Sequence, residues 1–240
     1  MSAWWNGRFG RRFILEALLL FSLLTLYRLG RYLGRNQVDV AFQHARDVLD
    51  LERRLGLDSE EGLQNVLLHH LSVIRFLNRY YAMVHFPATV AFIVYMYAKA
   101  PVLYSRIRVI FISVTAVALV MQIAFPLAPP RMMAGFVDTV ARYGPAIYSR
   151  PGVGSVANQY AAMPSLHVGW ALIVAYGLWQ HTRTSWRWLG VAHVALTTFA
   201  VVATANHYWV DGLVALVLVV VAVRLVSTRA ATQRLPSQVA

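Results

Sequence analysis

His207 and Asp211 stand four residues apart at the head of a run that is otherwise apolar as far as Val223. At that spacing on a helix the two side chains share a face, one turn apart. A carboxylate so placed accepts a hydrogen bond from one imidazole nitrogen, which fixes the tautomer and makes the other nitrogen a better nucleophile or base. His167 opens a second apolar run, within Ala161-Ala162-Met163-Pro164-Ser165-Leu166-His167. Proline is a helix-start signal, and the exposed N–H groups of a helix N-terminus attract anions. Ionisable residues inside apolar spans are costly and are therefore candidates for function. A lone histidine is more often a satisfied packing residue, so it is the joint placement of two imidazoles and one carboxylate that points to chemistry on a phosphate monoester or diester.

Other polar residues converge on the same region. Asn78, Tyr81, His85 and Thr89 follow one another at steps of three or four, so on a regular helix they face one way. They are candidates to line a headgroup pocket, with polar packing between helices as the alternative. The segment from Ala128 to Ala162 is rich in Pro and Gly and carries Arg131, Arg142 and Arg150 against a single acid, Asp138. Loops of this length in compact proteins are usually functional or disordered, and a net positive loop suits an anionic substrate. Arg131 follows a rigid Ala-Pro-Pro turn and is the strongest of the three. His44, His69, His70, His181 and His193 have no partner that spacing can name, and they read as structural.

The elements that must hold these residues are membrane helices. The chain has 240 residues, 58% of them hydrophobic and only 13% charged, with 22 Lys plus Arg against 10 Asp plus Glu. An ordinary soluble domain carries about 25% charged residues. The net charge of +12 does not indicate nucleic acid, because the basic residues punctuate apolar runs as they do beside membranes. Cysteine is absent, which excludes disulfides and a Cys nucleophile. Apolar runs at Phe13 to Leu29, Tyr81 to Ala98, Val109 to Leu127, Pro164 to Trp179, Leu189 to Ala205 and Tyr208 to Val226 predict an all-α integral membrane protein, a bundle of six transmembrane helices. The first run lacks a small-residue cleavage site and reads as a retained signal anchor.

Basic residues orient the bundle. Arg8, Arg11 and Arg12, then Lys99, Arg106 and Arg108, then Arg183 and Arg187, then Arg224, Arg229 and Arg234 fall on one side. The positive-inside rule makes that side cytoplasmic, with both termini on it. His167 and His207 then begin their helices at the outer face and lie at one depth.

Four stretches follow: 1–30, a tail and signal-anchor helix; 31–79, amphipathic interfacial helices; 80–226, a transmembrane core with an outer loop at 128–162; and 227–240, a cytoplasmic tail. The second is distinctive, since Asp39, Asp47, Asp50, Glu52, Asp58, Glu60 and Glu61 balance the arginines there. Its apolar residues recur at helical spacing from Val40 to a stop at Gly56 and again from Glu60 to Leu71, which predicts two helices against the outer interface. A solvated hairpin with no role beyond topology is the alternative. Trp4, Trp5, Tyr80, Tyr81, Tyr160, Trp186 and Trp188 read as interface anchors.

Three motifs, Ala128-Pro129-Pro130-Arg131, Ala161 to His167, and Ala205-Asn206-His207-Tyr208-Trp209-Val210-Asp211, resemble in order and spacing the type 2 phosphatidic acid phosphatase superfamily. With Glu52-Arg53-Arg54-Leu55-Gly56-Leu57, Asn78-Arg79-Tyr80-Tyr81 and His85, the chain is similar to the branch containing inositol phosphorylceramide synthase. The resemblance spans about residues 50 to 225. It implies metal-independent phosphoryl transfer without a cofactor: His207 attacks phosphorus, Asp211 orients and charge-balances it, and His167 protonates the leaving oxygen. Arg131 neutralises phosphate charge, and Ser165, Asn206, Tyr208, Asn78, Tyr81, His85 and Arg150 complete the expected substrate-binding set. Ala124 stands where the superfamily usually has Lys, Leu166 where it has Gly, and Ala200-Val201 where it has Ser-Arg. The reduced phosphate cradle moves the expectation toward a synthase-like transferase whose acceptor is a lipid or sugar alcohol instead of water.

The expected partners are a lipid phosphate or phospholipid and the membrane, with no nucleic acid. The expected location is the plasma membrane with the site on the outer side. A small transporter or scaffold using His and Asp for proton relay or helix packing is the competing reading. With only Asp138 and Asp211 near the proposed site, carboxylates are too few for a magnesium cage.

Overall fold

A computed structural model describes residues 37–144 and 159–232, with the isolated positions Ile14, Leu18, Phe21 and Thr25. The rest of the expected first span, Arg150 and the tail beyond 232 lie outside the described residues.

Helix α1, Val38–Leu55, buries Ala41, Ala45, Val48 and Glu52, a stripe at steps of four, three and four. It stops where Gly56 turns left-handed at φ 67°, its N–H bonded to the Arg53 carbonyl. Helix α2 is Glu60–Leu68. Helix α3 runs 29 residues over Leu71–Lys99 and contains one π-helical turn, Tyr80–Val84. Helix α4, Pro101–Ala124, has proline in its first turn. A 3₁₀ turn at Pro130–Met132 and the short α5, Thr139–Tyr143, follow. Helices α6, Leu166–His181, α7, Arg187–Ala203, and α8, Trp209–Thr232, complete the described fold. No strand is present among the described residues; one isolated bridge joins Leu127 to Ala161.

Helices α3 and α4 and the Trp209–Thr228 part of α8 are long and apolar enough to cross a membrane, by length and composition. Six spans were expected, and these three meet the requirement of about 20 residues. Helix α7 is apolar but shorter, at 17 residues. The first of the three begins ten residues before the expected Tyr81, because Ile74 and Leu77 continue its buried stripe while Arg75 and Arg79 stay exposed. Val117, Val120, Val217, Val220 and Leu225 present apolar side chains outward, as a lipid-facing bundle requires.

The core lies where α3, α4, α6 and α8 meet: Phe92, Met96, Ile107, Ile110, Phe111, Val114, Ile173, Val174 and Val219 are buried together. Gly177 of α6 lets the helices close up, since a Cβ there would collide with Phe92 and Ile107. Gly190 serves the α6–α7 seam in the same way, with 2.6 Å from a Cβ to the Ala175 Cα. A second cluster sits beneath α1, where Ala41, Ala45 and Val48 pack on Leu127, Ala128, Ala162 and Tyr208. Of these, Ala128, Ala162 and Tyr208 belong to the three motifs that carry the candidate site residues.

Candidate active site

Main-chain hydrogen bonds tie the three motifs to one another. Leu127 N–H donates to the Tyr160 carbonyl at 2.7 Å and Ala162 N–H to the Leu127 carbonyl at 3.3 Å, laying the Pro-rich turn beside the approach to α6. Arg131 N–H donates to the Ala205 carbonyl at 2.8 Å, and Ser165 N–H to the Asp211 carbonyl at 3.1 Å, which binds both to the α7–α8 turn. From α4, Gln122 Nε2 donates to the Pro164 carbonyl at 3.2 Å. Every one of these contacts joins segments at least 30 residues apart.

The α7–α8 turn is wound tightly. Asn206 and His207 N–H both donate to the Val201 carbonyl, at 2.8 and 3.1 Å, and the Thr204 hydroxyl donates to the Ala200 carbonyl at 2.6 Å. Ala205 has φ 55°, the left-handed region that costs an alanine about 1–2 kcal/mol. Such a residue persists only where its surroundings over-determine it, a condition common at functional sites. Here those three hydrogen bonds of the turn and the Arg131 contact do so.

His207 precedes α8, so its link to Asp211 is not the helical face-sharing that spacing suggested. Asp211, in the first turn of α8, reaches back: its Oδ2 accepts from Tyr208 N–H at 3.0 Å and lies 3.1 Å from His207 Nδ1. The same Nδ1 lies 2.9 Å from the Ala162 carbonyl. Both neighbours are acceptors, so Nδ1 carries the hydrogen and Nε2 holds the lone pair. A fixed tautomer with Nε2 free for attack is the form a nucleophilic imidazole needs. Asp211 is fully buried, and His207 nearly so.

Across a cavity of about 70 Å³ stands His167, its ring 5.6 Å from that of His207. At roughly 10–15 Å³ per water the space holds several, about the bulk of a phosphate group. Arg131 lines it, held by Nη1 donating to Asn206 Oδ1 at 2.8 Å and by Asp138 at 3.6 Å from Nε. Asn206 lines it too, and its amide donates to the Thr204 hydroxyl at 2.7 Å. Tyr81 closes one side, its ring 4.4 Å from that of His167. The arrangement offers a candidate nucleophile, a second imidazole and a guanidinium around one polar opening.

Other sequence-predicted residues occupy supporting positions. Ser165 is buried as the N-cap of α6, accepting from Val168 N–H at 3.4 Å. Tyr208 is buried with its hydroxyl donating to the Ala128 carbonyl at 2.9 Å, and burial with the neighbouring carboxyls pushes its phenol pKa up, so that donor is permanent. Asn78 forms a reciprocal pair with Thr139, donating to its carbonyl at 2.8 Å and accepting from its hydroxyl at 3.3 Å, and so fixes α5 against α3. His85 lies behind His167, 5.2 Å between rings, buried and away from the cavity lining. The π-turn at Tyr80–Val84 breaks the expected common face of Asn78, Tyr81, His85 and Thr89, and Tyr81 is the member that lines the cavity.

Three of the histidines read as structural have evident partners. His181 Nε2 lies 3.1 Å from the Tyr95 hydroxyl. His193 Nδ1 is 2.6 Å from the Tyr80 hydroxyl, and His44 Nδ1 is 2.8 Å from the Pro126 carbonyl. Gln122 and Gln159 line the cavity although nothing in the sequence singled them out. A glutamine near the C-terminal end of an otherwise apolar run was the available signal for Gln122.

A family profile described as the PAP2 superfamily matches residues 46–225. No curated protein and no solved structure matches the chain. The profile match begins in α1 and ends in α8, taking in every helix that frames the cavity, and on it the chain belongs to the PAP2 superfamily.

Proposed function

We propose that this chain is an integral-membrane enzyme that moves the phosphoryl group or phospho-headgroup of a lipid phosphate through a phosphohistidine, without a metal ion. Membership of the PAP2 superfamily supports phosphatase-type chemistry on lipid phosphates, and the three long apolar helices support residence in a membrane. The observation that carries the mechanism is the His207–Asp211 pair, tautomer fixed, with the His167 ring 5.6 Å away across the cavity.

In the first step His207 Nε2 forms a bond to phosphorus as the bond from phosphorus to the leaving oxygen breaks, and His167 gives that oxygen its proton. Asp211 balances the charge that develops on the His207 ring, and Arg131 with Asn206 takes the phosphate oxygens. In the second step water or an alcohol attacks the phosphohistidine, the N–P bond breaks, and the incoming oxygen returns a proton to His167. The reduced basic cradle, with Ala124 and Ala200-Val201 at the usual Lys and Ser-Arg places, favours an alcohol acceptor and the inositol phosphorylceramide synthase-like branch. Loop charges favour a site on the outer side of the plasma membrane.

The test is turnover of phosphatidate by the purified full-length chain in detergent with EDTA, with and without lipid or sugar alcohols. Release of inorganic phosphate identifies a phosphatase, and a new phosphate monoester of the added alcohol identifies a transferase. Acid-labile label on His207 after incubation with ³²P-labelled substrate is expected. A requirement for added divalent metal, or activity that survives His207→Ala, overturns the mechanism.

A further inference from the structure

The first turn of α8 is capped from outside. The first N–H groups of any helix lack intrahelical partners, and the usual solution is a Ser, Thr, Asp or Asn just before the helix. Tyr208 stands there and cannot act in that way. Instead Val210 N–H donates to Glu52 Oε1 at 2.9 Å and Trp209 N–H to Glu60 Oε1 at 3.3 Å, while Tyr208 N–H goes to Asp211 Oδ2 at 3.0 Å. The Trp209 indole N–H adds a bond to the Ser59 hydroxyl at 3.1 Å. Glu52 and Glu60 lie about 150 residues earlier in the chain, at the end of α1 and the start of α2, and both are buried. Long charged side chains are almost never fully buried without a partner, and here the partners are the N–H groups flanking the candidate nucleophile's carboxylate.

We propose that Glu52, with Glu60 beside it, is a positioning residue for the His207–Asp211 pair, acting through the N–H groups of Val210 and Trp209. The proposal rests on the functional reading given above and adds the segment that supports it. His207 and Asp211 flank residues 208 to 210, so the angle at which the carboxylate meets Nδ1 is set by how this first turn is seated. A displacement of about 1 Å at such a point costs on the order of 10²-fold in rate.

Three carboxyls share this small volume: Glu52 from α1, Glu60 from α2 and Asp211 from α8, with the Tyr208 phenol next to them. Burial, with Glu60 and Asp211 as neighbours, raises the Glu52 carboxyl from the ordinary 4.5 to about 9. Glu52 therefore enters the folded state as a neutral acid whose carbonyl oxygen caps Val210. The sign follows: a raised folded pKa means that this cap is intact below pH about 9 and is disturbed as pH rises through that value, when a further negative charge appears beside Asp211. Glutamine reproduces the neutral acid; alanine removes it.

The experiment compares wild type, Glu52→Gln and Glu52→Ala, each as full-length protein in detergent with phosphatidate, and His207→Ala as the control for the chemistry. The expected result is a fall in kcat of about 10²-fold in Glu52→Ala with KM little changed, and near wild-type kcat in Glu52→Gln. Wild-type kcat should fall reversibly through pH about 9, and Glu52→Gln should lose that limb. Hydrogen exchange in peptides covering 204 to 212 should accelerate in Glu52→Ala alone. If Glu52→Ala does not fold, the alkaline limb and the glutamine variant still decide the matter. Wild-type kcat in Glu52→Ala, or an alkaline limb that persists in Glu52→Gln, overturns the proposal. If instead His207→Ala keeps activity, the functional reading falls, and the exchange data alone judge whether Glu52 seats the turn.

Discussion

The two sides of the cavity are built differently. On the His207 side, hydrogen bonds specify almost every atom: Nδ1 to Asp211 and Ala162, Asp211 to the Tyr208 N–H, and the turn to the end of α7. On the His167 side the neighbours are rings, with Tyr81 at 4.4 Å, His85 at 5.2 Å and His207 at 5.6 Å between centroids. A nucleophile must present one nitrogen in one protonation state, which directional bonds to acceptors enforce. A proton donor must both hold and release a hydrogen in each cycle, and the packed rings around His167 hold its imidazole in one orientation. The contrast sets a ring whose tautomer is fixed by two named acceptors beside a ring packed among three others.

The largest effect should come from removing the proposed nucleophile. His207→Ala is expected to lower kcat by about 10⁴-fold or more while the protein still folds, measured as turnover and as loss of ³²P labelling. Asp211→Asn tests whether tautomer is the point. It keeps the shape but can donate where the carboxylate only accepts, so kcat should drop by about 10²–10⁴-fold, with Tyr208 to Val210 amides still protected in hydrogen exchange. Undiminished activity would break the comparison. His167→Ala sharpens the other side: a loss of about 10²–10⁴-fold on a lipid substrate should shrink markedly on p-nitrophenyl phosphate, whose leaving oxygen needs no proton, whereas His207→Ala should be equally inactive on both.

Smaller effects should mark residues that serve both sides. Arg131→Ala removes a charge-assisted contact and should weaken use of anionic substrate by about 10–100-fold in kcat/KM, with the Asn206 amide left to reorient. Asn78→Ala removes both buried hydrogen bonds to Thr139 and should cost about 1–3 kcal/mol of stability in a thermal melt, with little change in kcat at saturating substrate. A large kcat loss there would put Asn78 at the substrate instead of under α5.

Much of this was legible in local pattern. The buried stripe of α1 and its stop at Gly56 follow from apolar spacing and a left-handed glycine, and the apolar runs of α4 and α8 announce themselves by length. The partnership of His207 with Asp211 was also readable, though its route was not: His207 lies outside the helix, and the carboxylate meets it by folding back over the first turn. The π-turn at Tyr80–Val84 was not readable, because one extra residue per turn leaves no trace in composition, yet it parts Tyr81 from His85. Glu52 and Glu60 looked like charge compensation for nearby arginines; in the fold they face N–H groups some 150 residues on.

By itself the sequence determined that the chain lives among apolar helices, that its excess charge is basic, and that two histidines, an aspartate and an arginine stand at the mouths of those helices. Helical periodicity and hydropathy are local properties, so a single strand of text carries them. The tertiary structure alone decided which imidazole nitrogen carries the hydrogen, which polar residues reach the cavity, and what caps the first turn of α8. Those outcomes depend on hydrogen bonds between segments far apart in sequence, whose few tenths of an ångström are set by how close-packed helices and turns settle against one another.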